Sequence, residues 1–263
     1  MISFVLATRN DGYGGALADV GNFTMRRLQI TVDSILRLPC PSEVVIVEWN
    51  PPMNRRGIPQ FLAGRPVRII TVSSELQELL DADNHGRPLP FYEYVAKDIG
   101  VGSARFERII VCNPDNIFPQ RGFEAVMNGI ADGVLVRADR MEVAAEHSAR
   151  PIEELLDCAD AGGLEIIGRY SGAGGDFCGL TRATYERVGG FLPAHGNRGL
   201  DAEFQHRARQ SGVPVIQEYA HYHIHHENAV REAPGRPLSV GASQRIAADL
   251  TRSWDQFAFE VET

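Results

Sequence analysis

The stretch YEYVAKDIGVGSARFERIIVCNPDN, residues 92–116, decides how this chain folds. Tyr92–Arg105 has a helical pattern, Arg108–Cys112 is a short β-branched run, and Asn113-Pro114-Asp115-Asn116 has the composition of a turn. A helix delivering a buried strand whose end carries polar residues is half of a βαβ unit. The same rhythm extends toward the N-terminus, with strands expected at Ile2–Ala7, Val44–Glu48 and Val67–Val72, and helices near Thr24–Leu38 and Glu75–Leu80. Strand, helix, strand in that order predicts an α/β fold, Rossmann-like, with a mostly parallel sheet and flanking helices.

Ligands of such sheets bind outside the carboxyl ends of the strands, near the point where strand order reverses. Three polar segments fall there: Thr8-Arg9-Asn10-Asp11 after the first strand, Glu48-Trp49-Asn50 at the end of the second, and Asn113–Asn116 after the fourth. All three are expected on one edge.

The 263 residues and 44% hydrophobic content suit one large domain. A net charge of −8 argues against nucleic acid or an anionic membrane surface as the main partner. Cys40, Cys112, Cys158 and Cys178 lack C-x-x-C spacing, so the cysteines indicate neither a zinc knuckle nor a disulfide framework, and a reducing, cytoplasmic setting is expected. The N-terminus reads as a first strand, not as a signal peptide, and no stretch approaches the ~18 apolar residues of a membrane span. Peripheral contact with a membrane stays open.

The second half is less regular. Asp132–Asp139 reads as a strand, Ser171–Asp176 as a glycine-rich loop, and a helix capped by Thr181 stops at Gly189-Gly190. Leu200–Gln210 reads as a helix ending at Gly212, Val213–His221 as a strand running into histidines, and Gln244–Trp254 as a last helical stretch.

Three signals carry chemistry. Asn113 and Asp115 stand two apart, so on an extended segment both point at one ligand, although a turn has the same composition. His221, His223, His225 and His226 fall within six residues after a β-branched strand, and imidazole is a common ligand for Mn and Zn; a solvated surface cluster is the plainer alternative. Alternation would place the first three on one face, with His226 opposite unless the strand has turned. In Gly199-Leu-Asp201-Ala-Glu203, two carboxylates open a helix, where its dipole favours them; Asp201 could equally take a proton from an attacking hydroxyl.

In their order along roughly residues 2–230 these segments resemble the GT-A glycosyltransferases, in particular the family-2-like enzymes and, in the C-terminal half, the animal beta-galactosyltransferases. Ala7-Thr8-Arg9-Asn10 looks like the first-strand nucleotide segment, and Val45–Glu48 is similar to the strand whose terminal acid meets base or ribose. Ala96–Gly100 through Arg105 resembles the helix before the metal motif, and Asn113-Pro-Asp115 falls at the Asp-x-Asp position with asparagine for the first acid. Gly174–Phe191 looks like the acceptor-side loop and helix, Gly199–Arg207 aligns with the Gly-Glu-Asp-Asp-Asp block, with Leu200 and Ala202 in place of acids, and His223–His226 is similar to the segment supplying a metal histidine.

What the resemblance implies is a single GT-A domain over 1–263, with a nucleotide-sugar half (1–118), an acceptor half (119–230) and a tail (231–263). It implies a hexosyltransferase-like enzyme moving a sugar from a UDP or GDP donor to a saccharide or other hydroxyl acceptor. Thr8, Arg9, Asn10, Glu48, Arg105, Asn113 and Asp115 would bind the donor. Gly175, Asp176 and Glu203 would meet the acceptor, Asp201 would be the base of an inverting displacement, and Asp115 with His226, and His223 as a second histidine, would hold a divalent Mn or Mg ion. A retaining transferase, a nucleotidyltransferase, for which Gly12–Gly15 is a faint phosphate-loop echo, and an inactive nucleotide-sugar-binding protein are the alternatives.

Overall fold

The computed structural model describes residues 1–10, 23–53, 56–83, 89–171, 175–191, 199–226 and 258–262. The Gly12–Gly15 segment, the middle of the 171–176 loop and the Gln244–Trp254 stretch lie outside them.

The first half alternates as expected: β1 (Ile2–Thr8), α1 (Phe23–Leu36), β2 (Ser42–Trp49), α2 (Ile58–Phe61), β3 (Arg68–Val72), α3 (Ser74–Asp83), α4 (Glu93–Ser103) and β4 (Arg108–Cys112). Every residue of β1 is buried, as a strand covered on both faces requires. Strands β3, β2, β1 and β4 lie side by side and parallel, with Thr8 opposite Glu48, Glu48 opposite Thr71 and Leu6 opposite Cys112. Because β1 sits between β2 and β4, strand order reverses at β1, and the ends of β1, β2 and β4 open onto one edge.

The second half holds β5 (Asn116–Ile117), α5 (Phe123–Gly129), β6 (Leu135–Val143), α6 (Ile152–Asp160), β7 (Ile166–Tyr170), β8 (Phe177–Thr181), α7 (Arg182–Val188), α8 (Leu200–Gln210), β9 (Val215–Ile224) and β10 (Ala258–Glu262). These extend the sheet to the order β10-β3-β2-β1-β4-β8-β6-β9-β5, with β7 on β6. Here antiparallel pairs enter: β8 against both β4 and β6, β7 against β6, β9 against β5, and β10 against β3. Phe177–Thr181, running from the glycine-rich loop to the Thr181 cap, is a fully buried strand at the centre of the sheet. Residues 258–262 likewise add a strand to the sheet, antiparallel to β3.

Helices cover both faces. On one, Met25, Leu28, Val32 and Ile35 of α1 and Phe123 and Val126 of α5 pack on β1 and β2. On the other, α4 contributes Val95 and Ile99, and α7 and α8 contribute Tyr185, Val188, Phe204 and Ala208. Thr181 caps α7 by accepting from the Thr184 amide, and Gly189, at φ 88°, ends it. Among the described residues no helix is long and apolar enough to cross a membrane, and all four cysteines are free.

Helix α4 lies directly on the sheet at Gly100, where an added Cβ would stand 2.4 Å from Val5 Cγ1 and 3.1 Å from Val47 Cγ2. We expect Gly100→Ala to cost about 1–3 kcal/mol through overpacking, and Val5→Ala in the same chain to recover part of it. Urea unfolding of the three variants measures this; equal stability of Gly100→Ala and the parent would refute the close approach.

Candidate metal centre and its charged surround

β5 is only two residues long, yet it sets the site. Asn116 pairs with His223 and Ile117 with Tyr222, and the Ile224 amide donates to the Asp115 carbonyl at 3.1 Å. The corner after β4 is thereby fastened to the end of β9, bringing together residues 111 apart in sequence.

Asp115 is buried, and its Oδ2 faces three cationic or donor groups: His226 Nε2 at 2.9 Å, Arg27 Nη1 at 3.3 Å and His223 Nε2 at 3.5 Å. Burial alone would raise the carboxyl; the His223 charge and the hydrogen bonds from His223 and His226 outweigh it and hold it well below the usual range. One ligand atom from each of Asp115, His223 and His226 lies within 4.8 Å of the others. Asp115 Oδ1 is buried with no hydrogen-bond partner among the described residues. A buried oxygen left unsatisfied in a cluster of one carboxylate and two imidazoles suits a divalent cation.

The four histidines divide. His221 is fully buried against the rings of Phe118 and Phe177, with both nitrogens lacking partners among the described residues, and burial pushes its pKa down to about 4. It belongs to the core. His223 continues that face and reaches the site; burial would lower it, but the Asp115 charge, with hydrogen bonds to Asp115 and Glu142, raises it to about 9. His225 is half-exposed, and His226 comes back to Asp115 because the strand ends at Ile224.

A chain of polar contacts runs from this cluster across the sheet edge. His223 Nδ1 meets Glu142 Oε2 at 3.0 Å, Glu142 also binds Arg140, and Arg140 Nη1 donates to Asp176 Oδ2 at 2.9 Å. Asp176 Oδ1 accepts from Asn113 Nδ2 at 2.6 Å, and Asn113 Oδ1 accepts from Lys97 Nζ at 2.7 Å. Lys97, fully buried, also binds Glu93 at 2.5 Å and the Gly175 carbonyl at 3.2 Å. For Glu142, burial is again opposed, here by His223 and Arg140, which bring the carboxyl down to about 2. Arg27, Lys97, Arg140 and Glu142 are absent from the sequence-derived site. Charged residues on a strand or helix read as solvated; for Arg27 and Lys97 the available hint is their place on helix faces that otherwise turn inward.

The donor-side residues stand as follows. Thr8 and Asn10 are buried at the end of β1, Asn10 donating to the Arg56 carbonyl at 2.7 Å. Arg9 donates to the Asn50 carbonyl at 3.1 Å and to the Pro90 carbonyl. Glu48 accepts the Ile58 amide at 2.9 Å at the start of α2; burial raises its pKa against that bond. Arg105 is not with them. Its amide donates to Glu43 at the start of β2, and its side chain lies 3.7 Å from the same carboxylate, at the opposite edge of the sheet. The helix ends there because β4 must start from the amino edge to run parallel to β1.

On the acceptor side, a Cβ on Gly175 would come 2.7 Å from the Tyr94 hydroxyl, so glycine lets its carbonyl approach Lys97. Asp201 is the second residue of α8, behind Gly199 at φ 81°. Burial, then Glu93, Asp201 and Asp176, raise the Tyr94 phenol, so both aspartates act on one ring. Glu203 pairs loosely with Arg207 at 3.7 Å. α8 is set against α7 and α4 by a clamp: Arg207 donates to the Val188 and Gly190 carbonyls at 2.6 and 2.7 Å, and Asp98 accepts the Phe191 amide at 3.0 Å and the Tyr185 hydroxyl. Burial pushes Asp98 up to about 7 against those bonds.

Asn113 joins two groups of opposite demand, a donor at Lys97 and an acceptor at Asp176. Asn113→Asp sets two carboxylates against each other, and Asp176→Asn strips Arg140 of one of its two counter-charges. We expect each to cost about 1–3 kcal/mol, and the double exchange Asn113→Asp/Asp176→Asn to recover much of the loss, because donor and acceptor then only trade ends. A double-mutant cycle by urea unfolding reads the coupling, and strictly additive losses would refute it.

No family model matches the chain, and no curated protein matches it. Solved structures do. The mannosyltransferase PcManGT from Pyrobaculum calidifontis, in complex with GDP-Man and Mn2+, is 14% identical, with a TM-score of 0.49, over 96% of this chain and 64% of that one. TarS 1–349 of S. aureus is 10% identical, with a TM-score of 0.53, over 85% of this chain and 60% of that one. This chain therefore spans somewhat under two thirds of the length of each. At these identities the likeness is one of architecture, and the architecture is the GT-A fold.

Proposed function

We propose that this chain is a metal-dependent glycosyltransferase that moves a sugar from a UDP or GDP donor to an acceptor hydroxyl with inversion. The observation that carries the reading is the buried triad of Asp115, His223 and His226 with an unsatisfied carboxylate oxygen, beyond the carboxyl end of β4 in the GT-A sheet. Asp115, His223 and His226 would hold Mn or Mg. That ion, when bound, supplies positive charge to the departing diphosphate.

The chain's own residues do the rest. The nucleotide would lie along the ends of β1 and β2, where Thr8, Arg9 and Asn10 present side chains and Glu48 closes the floor. Arg27, 3.3 Å from Asp115 Oδ2, keeps that carboxylate aimed. Lys97 and Asn113 fix Asp176 and Gly175 on the acceptor side. Asp201, at the positive end of α8, would accept the hydroxyl proton as the acceptor oxygen attacks the anomeric carbon and the bond to diphosphate breaks. The halves 1–118 and 119–230 would supply donor and acceptor contacts within one domain.

The mannosyltransferase's ligands make GDP-mannose with Mn2+ the first donor to try, followed by UDP-sugars. In wild type, Mn2+ with GDP or UDP should raise the melting temperature, since only the folded chain binds. Asp115→Ala and His226→Ala should abolish the Mn-dependent part. Asp201→Asn should keep it and lose about 100-fold or more in transfer. Wild-type transfer by Asp201→Asn would remove it as the base, and a product retaining the donor's anomeric configuration would exclude inversion.

A further inference from the structure

Glu142 is a buried carboxylate, 3% exposed, on a strand whose other inward residues are apolar or cationic. An ionised carboxylate away from water is costly unless its oxygens are fully matched. Here both are: Oε1 takes Arg140, and Oε2 takes His223 Nδ1 at 3.0 Å, with His225 Nδ1 at 3.5 Å. Strand register makes this arrangement rigid, because Glu142 and His223 are direct partners in the β6–β9 ladder. Arg140 is fixed in turn by Asp176.

The consequence lies on the far side of the imidazole ring. With Nδ1–H committed to Glu142, Nε2 is the nitrogen facing Asp115 Oδ2, and a ring so held can offer a lone pair only there. We propose that Glu142 is a positioning residue for the cation centre, selecting the His223 tautomer and ring angle that present Nε2 to a divalent ion. This rests on the metal-dependent reading above but assigns a role to a residue outside the ligand set.

Glutamine at 142 is the discriminating change, because it keeps the shape and has one acceptor where two are required. Its amide nitrogen must face either Arg140 or His223 Nδ1. In the second case, Nδ1 becomes the acceptor and Nε2 keeps the proton that an ion needs removed. Mn2+ titrated calorimetrically into the full chain should bind Glu142→Gln about 10- to 100-fold more weakly than wild type, and Glu142→Asp, which keeps both oxygens, should recover part of the affinity. His225→Ala, which removes the distant half-exposed contact, should stay within about twofold. Nitrogen-detected imidazole spectra of the Zn2+-loaded protein provide a readout that loss of packing alone would not move: Nδ1–H in wild type, and a changed or mixed tautomer in Glu142→Gln. If wild type binds Mn2+ and Glu142→Gln matches it with the His223 tautomer unchanged, the positioning role is overturned. If wild type itself takes up neither Mn2+ nor Zn2+, the metal-dependent reading falls, and this role with it.

Discussion

One carboxylate without water organises this protein's functional edge. Asp115 is buried, and an ionised oxygen there is tolerable only where positive charge and donors surround it. Arg27 from α1 and two histidines from the end of β9 provide them. They come from two separate elements onto a third, so the entry angle of α1, the length of β9 and the corner after β4 are all constrained by one side chain. A cation held there would take over part of that task.

The second constraint is transmitted outward. The contacts from His223 through Glu142, Arg140, Asp176 and Asn113 to Lys97 alternate donor with acceptor and leave few degrees of freedom to the segments they cross. Helix α4 is the common anchor. Lys97 holds the corner after β4, and the next residue, Asp98, holds the turn that ends α7, onto which Arg207 fastens α8. Two adjacent side chains on one helix thus locate both the cation cluster and the helix bearing Asp201, and Gly100 lets that helix rest directly on β1.

Much of this was legible in the sequence for physical reasons that also mark its limits. Continuous β-branched runs such as those of β1 and β4 announce strands covered on both faces, and Thr181 with Gly189 announces a capped helix. The gathering of Asp115, His223 and His226 was expected from resemblance; alternation alone could not show that the chain turns after Ile224 to return His226. β8, Phe-Cys-Gly-Leu-Thr, lacks the β-branched run that marks the equally short β4, and its antiparallel pairing is a non-local property. Arg105 stands apart from the other donor-side residues for a related reason: a helix pattern reveals its faces but not at which edge of the sheet its end will lie. Glu142 and Arg140 alternate like exposed residues, and only the pairing of β6 with β9 shows that their face is covered.

The strand at 258–262 has a meaning separate from the site. Without it, the apolar run of β3, Arg68–Val72, would be the margin of the sheet, with unpaired amides and carbonyls able to recruit a strand from another molecule. β10 takes that flank antiparallel, locked by Arg68 onto Glu260 at 2.7 and 2.9 Å, and puts glutamates 260 and 262 into the sequence of the new margin. A chain shortened before residue 258 would keep its entire cation cluster and yet lose the piece that keeps one copy from sticking to the next.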